Sequence, residues 1–209
     1  MLELNGEPLI ASSIKAGLKS KYIDEVIVST DDGEIIEAAK QFGAEVPFRR
    51  PKDLAQDETK TIDVILHALK SLTEVGKSFE YLVLLQPTSP FRSARHIDAA
   101  VEIVCNENLD GIVGVTELEH PVEWANILPP NYSMDKFFCS GNYELRSQEF
   151  PTRYRINGAI YICRISRILD EETIFFSSNT KAFVMDRKSS LDIDTEFDYK
   201  IAGCLSRSR

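Results

Sequence analysis

The chain has 209 residues, 43% of them apolar and 27% charged, with 24 Lys and Arg against 33 Asp and Glu. This balance suits one large folded domain and argues against a disordered chain, a collagen-like repeat or a disulfide mini-scaffold. A net charge of −9 argues against a broad basic face for nucleic acid or an anionic membrane, so an anionic ligand has to meet a local cluster of Arg and Lys. Met1-Leu2-Glu3-Leu4 has no basic leader, and the longest apolar run, 81–85, is far short of a membrane span; a cytoplasmic protein is expected. Cys105, Cys139, Cys163 and Cys204 are scattered without CxxC spacing, which predicts reduced thiols and no zinc site.

Strand and helix signals alternate through the first half. Pro8 suits the first turn of a helix whose apolar face runs Leu9, Ile10, Ile14, Gly17 and Leu18, and 25–29 reads as a short β-branched strand. Asp31 with Glu34 predicts a capped helix with a buried stripe of Ile35, Ile36, Ala39 and Phe42, stopped by Gly43 and followed by a strand at 45–49. Helical spacing returns at Ile62, Ile65, Leu66, Leu69 and Leu72, then comes the wholly apolar strand 81–85, a helix through Ile97, Ala100, Val101 and Val104, and the strand 111–115. Continuous apolar strands between helices predict an α/β three-layer sandwich, a mostly parallel, Rossmann-like sheet covered on both faces, as a single domain over 1–209.

Residues 116–153 break this rhythm. Pro121, Pro129, Pro130 and Pro151 interrupt a stretch in which Trp124, Tyr132, Phe137, Phe138, Tyr143 and Phe150 follow no helical period. Two readings stand: an inserted arm that buries its aromatic rings on a second copy of the chain, or a flap packed on its own domain. Strands resume at 159–163 and 182–185, and a last helix carries Phe197, Ile201 and Leu205 at intervals of four.

Ligands of open α/β sheets collect at the carboxyl ends of strands, which directs attention to three segments. Gln86-Pro87-Thr88-Ser89-Pro90-Phe91-Arg92 is a proline-stiffened turn offering an amide, two hydroxyls and a guanidinium; it fits a polyhydroxylated ligand, or a rigid turn in which Ser89 or Ser93 caps the next helix. In Asp192-Ile193-Asp194 an extended backbone puts both carboxylates on one face and Ile193 in the core. Two like charges held together favour a hydrated Mg²⁺ between them, the alternative being Asp194 as the cap of the last helix. Arg153-Tyr154-Arg155-Ile156-Asn157-Gly158 sets two guanidiniums ahead of a sharp turn, for an anion or simply for solvent.

Together with Val46-Pro47-Phe48-Arg49-Arg50-Pro51-Lys52-Asp53-Leu54-Ala55, Arg155-Ile156-Asn157-Gly158-Ala159-Ile160-Tyr161 and Leu191-Asp192-Ile193-Asp194-Thr195, the 85–92 segment closely resembles the acylneuraminate cytidylyltransferases, the CMP-sialic acid synthetases, in order from about Leu4 to the C-terminus. The resemblance implies an enzyme in which the anomeric hydroxyl of a nine-carbon 2-keto sugar acid attacks the α-phosphorus of CTP with Mg²⁺, releasing pyrophosphate. It assigns Arg50 and Thr61 to the cytosine, Gln86, Thr88 and Ser89 to the sugar loop, and Arg155, Asn157 and Tyr161 to the surroundings of the sugar. Phe175 and Phe176 become an aromatic wall near the acyl group, Asp192 and Asp194 the metal pair, and 116–153 the arm of a homodimer. Legionaminic, pseudaminic or Kdo-type acids are alternative acceptors within the same resemblance. Such transfer depends on alignment and charge neutralisation, so no protein nucleophile is needed, and His67, His96 and His120 read as structural or solvated.

One family feature has no counterpart: the resemblance begins beyond the first strand and the Arg-, Gly-, Ser- and Lys-rich loop that wraps the CTP phosphates. A fragment of a true synthetase is the favoured account, a substitute segment or a non-catalytic nucleotide- or sugar-binding paralogue the others. The expectation that follows is a space or an unpaired edge between 25–29 and 81–85.

Overall fold

The computed structural model describes residues 1–137, 145–176 and 178–207. Phe138, Tyr143 and Cys139 of the sequence reading lie outside them. The chain opens with a two-residue hairpin, β1 (Glu3–Leu4) and β2 (Glu7–Pro8), turned by Asn5 and Gly6, both at positive φ as a tight hairpin turn demands. Helices α1 (Leu9–Leu18), α2 (Gly33–Gln41) and α3 (Thr61–Glu74) follow. The cap of α2 is Asp32, whose carboxylate accepts from Glu34 N and Ile35 N, and not its neighbour Asp31. Gly43, at φ +92°, ends that helix as expected.

The main sheet is built from β3 (Tyr81–Leu84), β4 (Gly111–Glu117), β5 (Tyr154–Arg164) and β6 (Thr180–Val184), in the order β3-β5-β4-β6. Strands β3, β4 and β6 point one way, but β5 is antiparallel to both its neighbours, which makes the sheet mixed. The cause is the excursion: Glu117 pairs with Tyr154 and Leu118 N donates to Arg153 O, so the whole 118–153 stretch is one long hairpin connection that re-enters beside the point where it left. The 25–29 and 45–49 segments meet each other at an Ile27–Glu45 bridge without growing into a ladder. Among the described residues neither pairs with β3, which stands at the outer edge of its sheet, as the sequence reading expects.

The period of two along the strands feeds two cores. Ile160, Ile162 and Val83 meet α1 and α4 (Ala94–Glu107) through Ala16, Ile97, Ala100 and Val104. Tyr161, Cys163, Leu82 and Leu84 face the other way, onto Ile65 and Leu69 of α3 and Ile168 of α5 (Ile165–Glu171). This is the expected three-layer sandwich. A third cluster joins Leu9, Ile193 and Ala202, docking α6 (Glu196–Arg207) beside the start of α1. Phe197 is not on the buried side of α6: it is exposed, and the inward face is Ala202 with Tyr199. No helix among the described residues is long and apolar enough to cross a membrane.

Candidate active site

The site grows from an irregularity in β5. Val113 of β4 lies opposite Tyr161 and Val115 opposite Ile156, so the four residues 157–160 face Gly114 alone. Asn157 folds inward, its Oδ1 accepting from Ala159 N at 3.1 Å and its Nδ2 donating to Ser190 Oγ at 2.9 Å. A Cβ on Gly114 would sit 2.6 Å from Asn157 Oδ1 and 3.0 Å from Ile160 O, so only glycine leaves room for this bulge.

Gly158, at φ +72°, carries the bulge into the left-handed region, and its bare Cα is the point on which the predicted residues converge. A Cβ there would lie 2.5 Å from Gln86 Oε1, 3.1 Å from Asp192 Oδ2 and 3.6 Å from Ser89 Oγ. The loop after β3, the bulge of β5 and the segment before α6 are thereby brought to one corner. Ile193 N donates to Thr88 O at 2.9 Å, which ties the last of these segments to the first. Two oxygens in the corner have no partner among the described residues: Ser89 Oγ, in a fully buried residue, and Asp192 Oδ1. Buried polar atoms are nearly always satisfied, so a water or a ligand is the partner these two oxygens call for.

Beside the corner a cleft of about 450 Å³ opens, lined by Lys60, Thr61, Gln86, Tyr161, Glu172 and Phe175 among others. Thr61 begins α3, which aims the positive end of a helix dipole at this cleft. Burial, and then the nearby Asp192 charge, raise the Tyr161 phenol above its ordinary range. Phe175 stands edge-on to Tyr161 at 5.9 Å and is 54% exposed. Its neighbour Phe176 is 7% exposed and points into the α3 and α5 core with Arg167 over its ring, so of the predicted aromatic wall only Phe175 faces the cleft.

Other predicted residues stand apart. Arg50 does not line the cleft: its guanidinium holds Ser29, with Nε 3.1 Å from Ser29 Oγ and Nη2 on the Ser29 carbonyl, and burial draws its pKa down against the pull of Asp31. Arg155 shares Glu119 with Arg187, at 3.6 and 3.4 Å. Asp194 is exposed and does not cap α6; Thr195 and Asp198 do so reciprocally, Asp198 N donating to Thr195 Oγ1 at 3.2 Å and Thr195 N to Asp198 Oδ2 at 2.9 Å. His67 packs edge-on against Phe48, and none of the three histidines lines the cleft.

Among the described residues no group of three or more His, Cys, Asp or Glu forms a metal cage. Asp192 keeps one oxygen without a partner among the described residues and Asp194 is exposed; carboxylate oxygens of this kind are donors that a hard cation such as Mg²⁺ takes. The sequence reading missed Ser13, Gly114, Ser190 and the inward course of Arg92. Of these, Gly114 carried a signal, as a glycine in the interior of an apolar strand.

Among solved structures the chain resembles a CMP:2-keto-3-deoxy-manno-octonic acid synthetase complexed with CTP (TM-score 0.69, 14% identity, covering 100% of this chain and 91% of that one). It also resembles the 4-diphosphocytidyl-2C-methyl-D-erythritol synthase of Anaerococcus prevotii (TM-score 0.67, 15% identity, 99% and 88% covered). The fold is thus that of the nucleotidyltransferase class. A family model described as cytidylyltransferase matches residues 1–201. The CMP-N,N'-diacetyllegionaminic acid synthase of Legionella pneumophila is 35% identical over 95% of this chain and 84% of its own length. The pseudaminic acid cytidylyltransferase of Campylobacter jejuni is 31% identical over 98% and 88%. An N-acylneuraminate cytidylyltransferase of Escherichia coli is 36% identical over 96% of this chain, which spans only 46% of that longer relative. The chain belongs to the cytidylyltransferase family of nucleotidyltransferase enzymes.

Proposed function

We propose that this chain transfers CMP from CTP to the anomeric hydroxyl of a sialic acid-like 2-keto sugar acid of the neuraminic, legionaminic or pseudaminic class. The hydroxyl oxygen bonds to the α-phosphorus and gives up its proton to solvent, the bond from that phosphorus to the β-phosphate bridge breaks, and pyrophosphate leaves. The observation that carries the reading is the convergence of Gln86, Ser89 and Asp192 on Gly158, with Gln86 also lining the neighbouring cleft. In this reading Gln86, Thr88 and Ser89 receive the sugar hydroxyls, Tyr161 and Phe175 wall the acyl side, and Thr61 with Lys60 faces the nucleotide. Arg50 reads the cytosine after releasing Ser29, and Arg155 approaches the sugar carboxylate after releasing Glu119. Asn157 shapes the bulge from beneath.

Asp192 and Asp194 would hold Mg²⁺, which when bound neutralises phosphate charge and aligns the reacting groups. The aromatic arm, with Ile127 and Tyr132 among its exposed residues, supports a homodimer in which each arm lies on the other subunit. Cys105 and Cys163, which form no disulfide, fit a cytoplasmic setting. The test is pyrophosphate release from CTP with Mg²⁺ and each of the three sugar-acid classes. Product with one or more supports the reading. Binding without product makes the chain a nucleotide- or sugar-binding paralogue.

A further inference from the structure

Arg92 closes the loop after β3 and is only 4% exposed. Its fork grips three segments at once: Nη1 donates to Ala159 O at 2.8 Å and to Gln86 O at 3.0 Å, while Nη2 donates to Gln86 O at 3.0 Å and to Ser13 Oγ. None of these acceptors is a carboxylate. The opposing charge is Asp192, acting through space, while burial lowers the guanidinium to about 10 and still leaves it protonated at neutral pH. A buried cation without a contact ion pair is costly to a fold, and an apolar side chain would fill the same space more cheaply. What an apolar side chain cannot do is hold two carbonyl groups of different strand ends in a fixed relation. Those carbonyls belong to Gln86, whose side chain overhangs Gly158, and to Ala159, the residue after Gly158.

We infer that Arg92 is a positioning residue for the transfer: its planar fork fastens the β3 loop to the β5 bulge and so fixes where Gln86 and Ser89 stand around Gly158. The inference rests on the function proposed above, and it concerns the sugar-acid side of the site, because none of the grips of Arg92 reaches Lys60 or Thr61. A Lys at this position keeps the charge but loses the fork.

Arg92→Lys in the full chain is expected to lower kcat/KM for the sugar acid by about 100-fold, the scale of a misplacement of ~1 Å, and to leave the KM for CTP nearly unchanged. Equal effects on both substrates, or an effect on neither, would overturn the assignment. Ser13→Ala removes one acceptor of the fork without stranding a new charge, and is expected to reproduce the sugar-acid effect in weaker form even if Arg92→Lys folds poorly; wild-type kinetics in Ser13→Ala would count against the clamp. Amide hydrogen exchange, which needs no substrate, distinguishes failure of the clamp from failure of the functional reading. In Arg92→Lys, exchange should quicken together in 86–92 and 157–160 and stay unchanged in α5 and β6. No change, or a uniform quickening, refutes the clamp whether or not the wild type turns over CTP. A wild type inert toward every sugar acid, with the paired quickening intact, refutes the transfer reading instead.

Discussion

The Gly158 corner and the 118–153 arm are both rich in proline and polar residues, yet the chain treats them in opposite ways. In the corner, bonds that join the converging segments cross long stretches of sequence: Ile193 to Thr88, Asn157 to Ser190, Arg92 to Ala159 and Ser13. In the arm several contacts are local, Asn126 reaching the carbonyls of Lys136 and Phe137, Trp124 standing edge-on to Phe150 at 5.9 Å, and Arg153 pairing with Glu123, while Glu119 at its root reaches out to Arg187 at 3.4 Å. Its apolar side chains are left outward, Ile127 at 90% and Tyr132 at 77% exposure. Long-range bonds fix a geometry to a few tenths of an ångström, as chemistry needs; local bonds hold a shape while leaving a surface to be covered.

The sharpest way to break this contrast is Gly158→Ala, whose methyl would press on Gln86 Oε1 from a backbone position unsuited to L-residues. Loss of turnover by about 100-fold or more, with a clear fall in Tm, is expected from kinetics and thermal melting. Asp192→Asn and Asp194→Asn should each abolish Mg²⁺-dependent pyrophosphate release without lowering Tm. Retained turnover in both would remove the pair from the reaction.

Gly114→Ala is expected to cost about 1–3 kcal/mol in chemical denaturation, because Asn157 Oδ1 and the Ile160 carbonyl must give way. In the arm, by contrast, Ile127→Asp should change monomer stability by no more than about 0.5 kcal/mol while shifting sedimentation toward the monomer. A stable dimer in that variant would sink the proposed use of the arm.

The smallest expected effect is one of pH. The Ser189 hydroxyl and then its backbone N–H hold the Asp186 carboxyl below the ordinary aspartate range. Because the folded pKa is depressed, its stabilisation is present above the unfolded value of about 3.9 and is lost as pH falls through the folded value. Ser189→Ala should therefore flatten the dependence of Tm on pH below about 4 and leave it unchanged at neutral pH.

How much of this was legible in the sequence depended on the range of the forces involved. The stripes Ile65-Leu69-Leu72 and Ile97-Ala100-Val104 gave their helices directly, because an amphipathic face is a local property. The direction of β5 was not legible, since it depends on where a long excursion returns rather than on the strand itself. Phe197 shows the limit of spacing alone: an interval of four marks one side of a helix and does not say that a neighbour covers it. At the site, Gln86, Ser89, Asp192 and Tyr161 could be named from the motifs that carry the family resemblance. Phe175 and Phe176 could not be told apart, because an irregular segment gives adjacent side chains no fixed alternation. Arg92 looked like the outward end of a polar loop, and only the tertiary fold turns it inward.

The cleft beside β5 has one stiff wall and one compliant one. Around Gly158 there is no room for even a methyl group, and the sheet itself would have to yield before that wall moved. Across the cleft, Glu172 and Phe175 sit in the irregular run after α5, and exchanging the Phe175 ring there breaks no sheet hydrogen bond. Re-engineering of the proposed acceptor pocket therefore has a natural starting point in 172–175, where the opening can be widened or narrowed while the Gly158 wall keeps its shape.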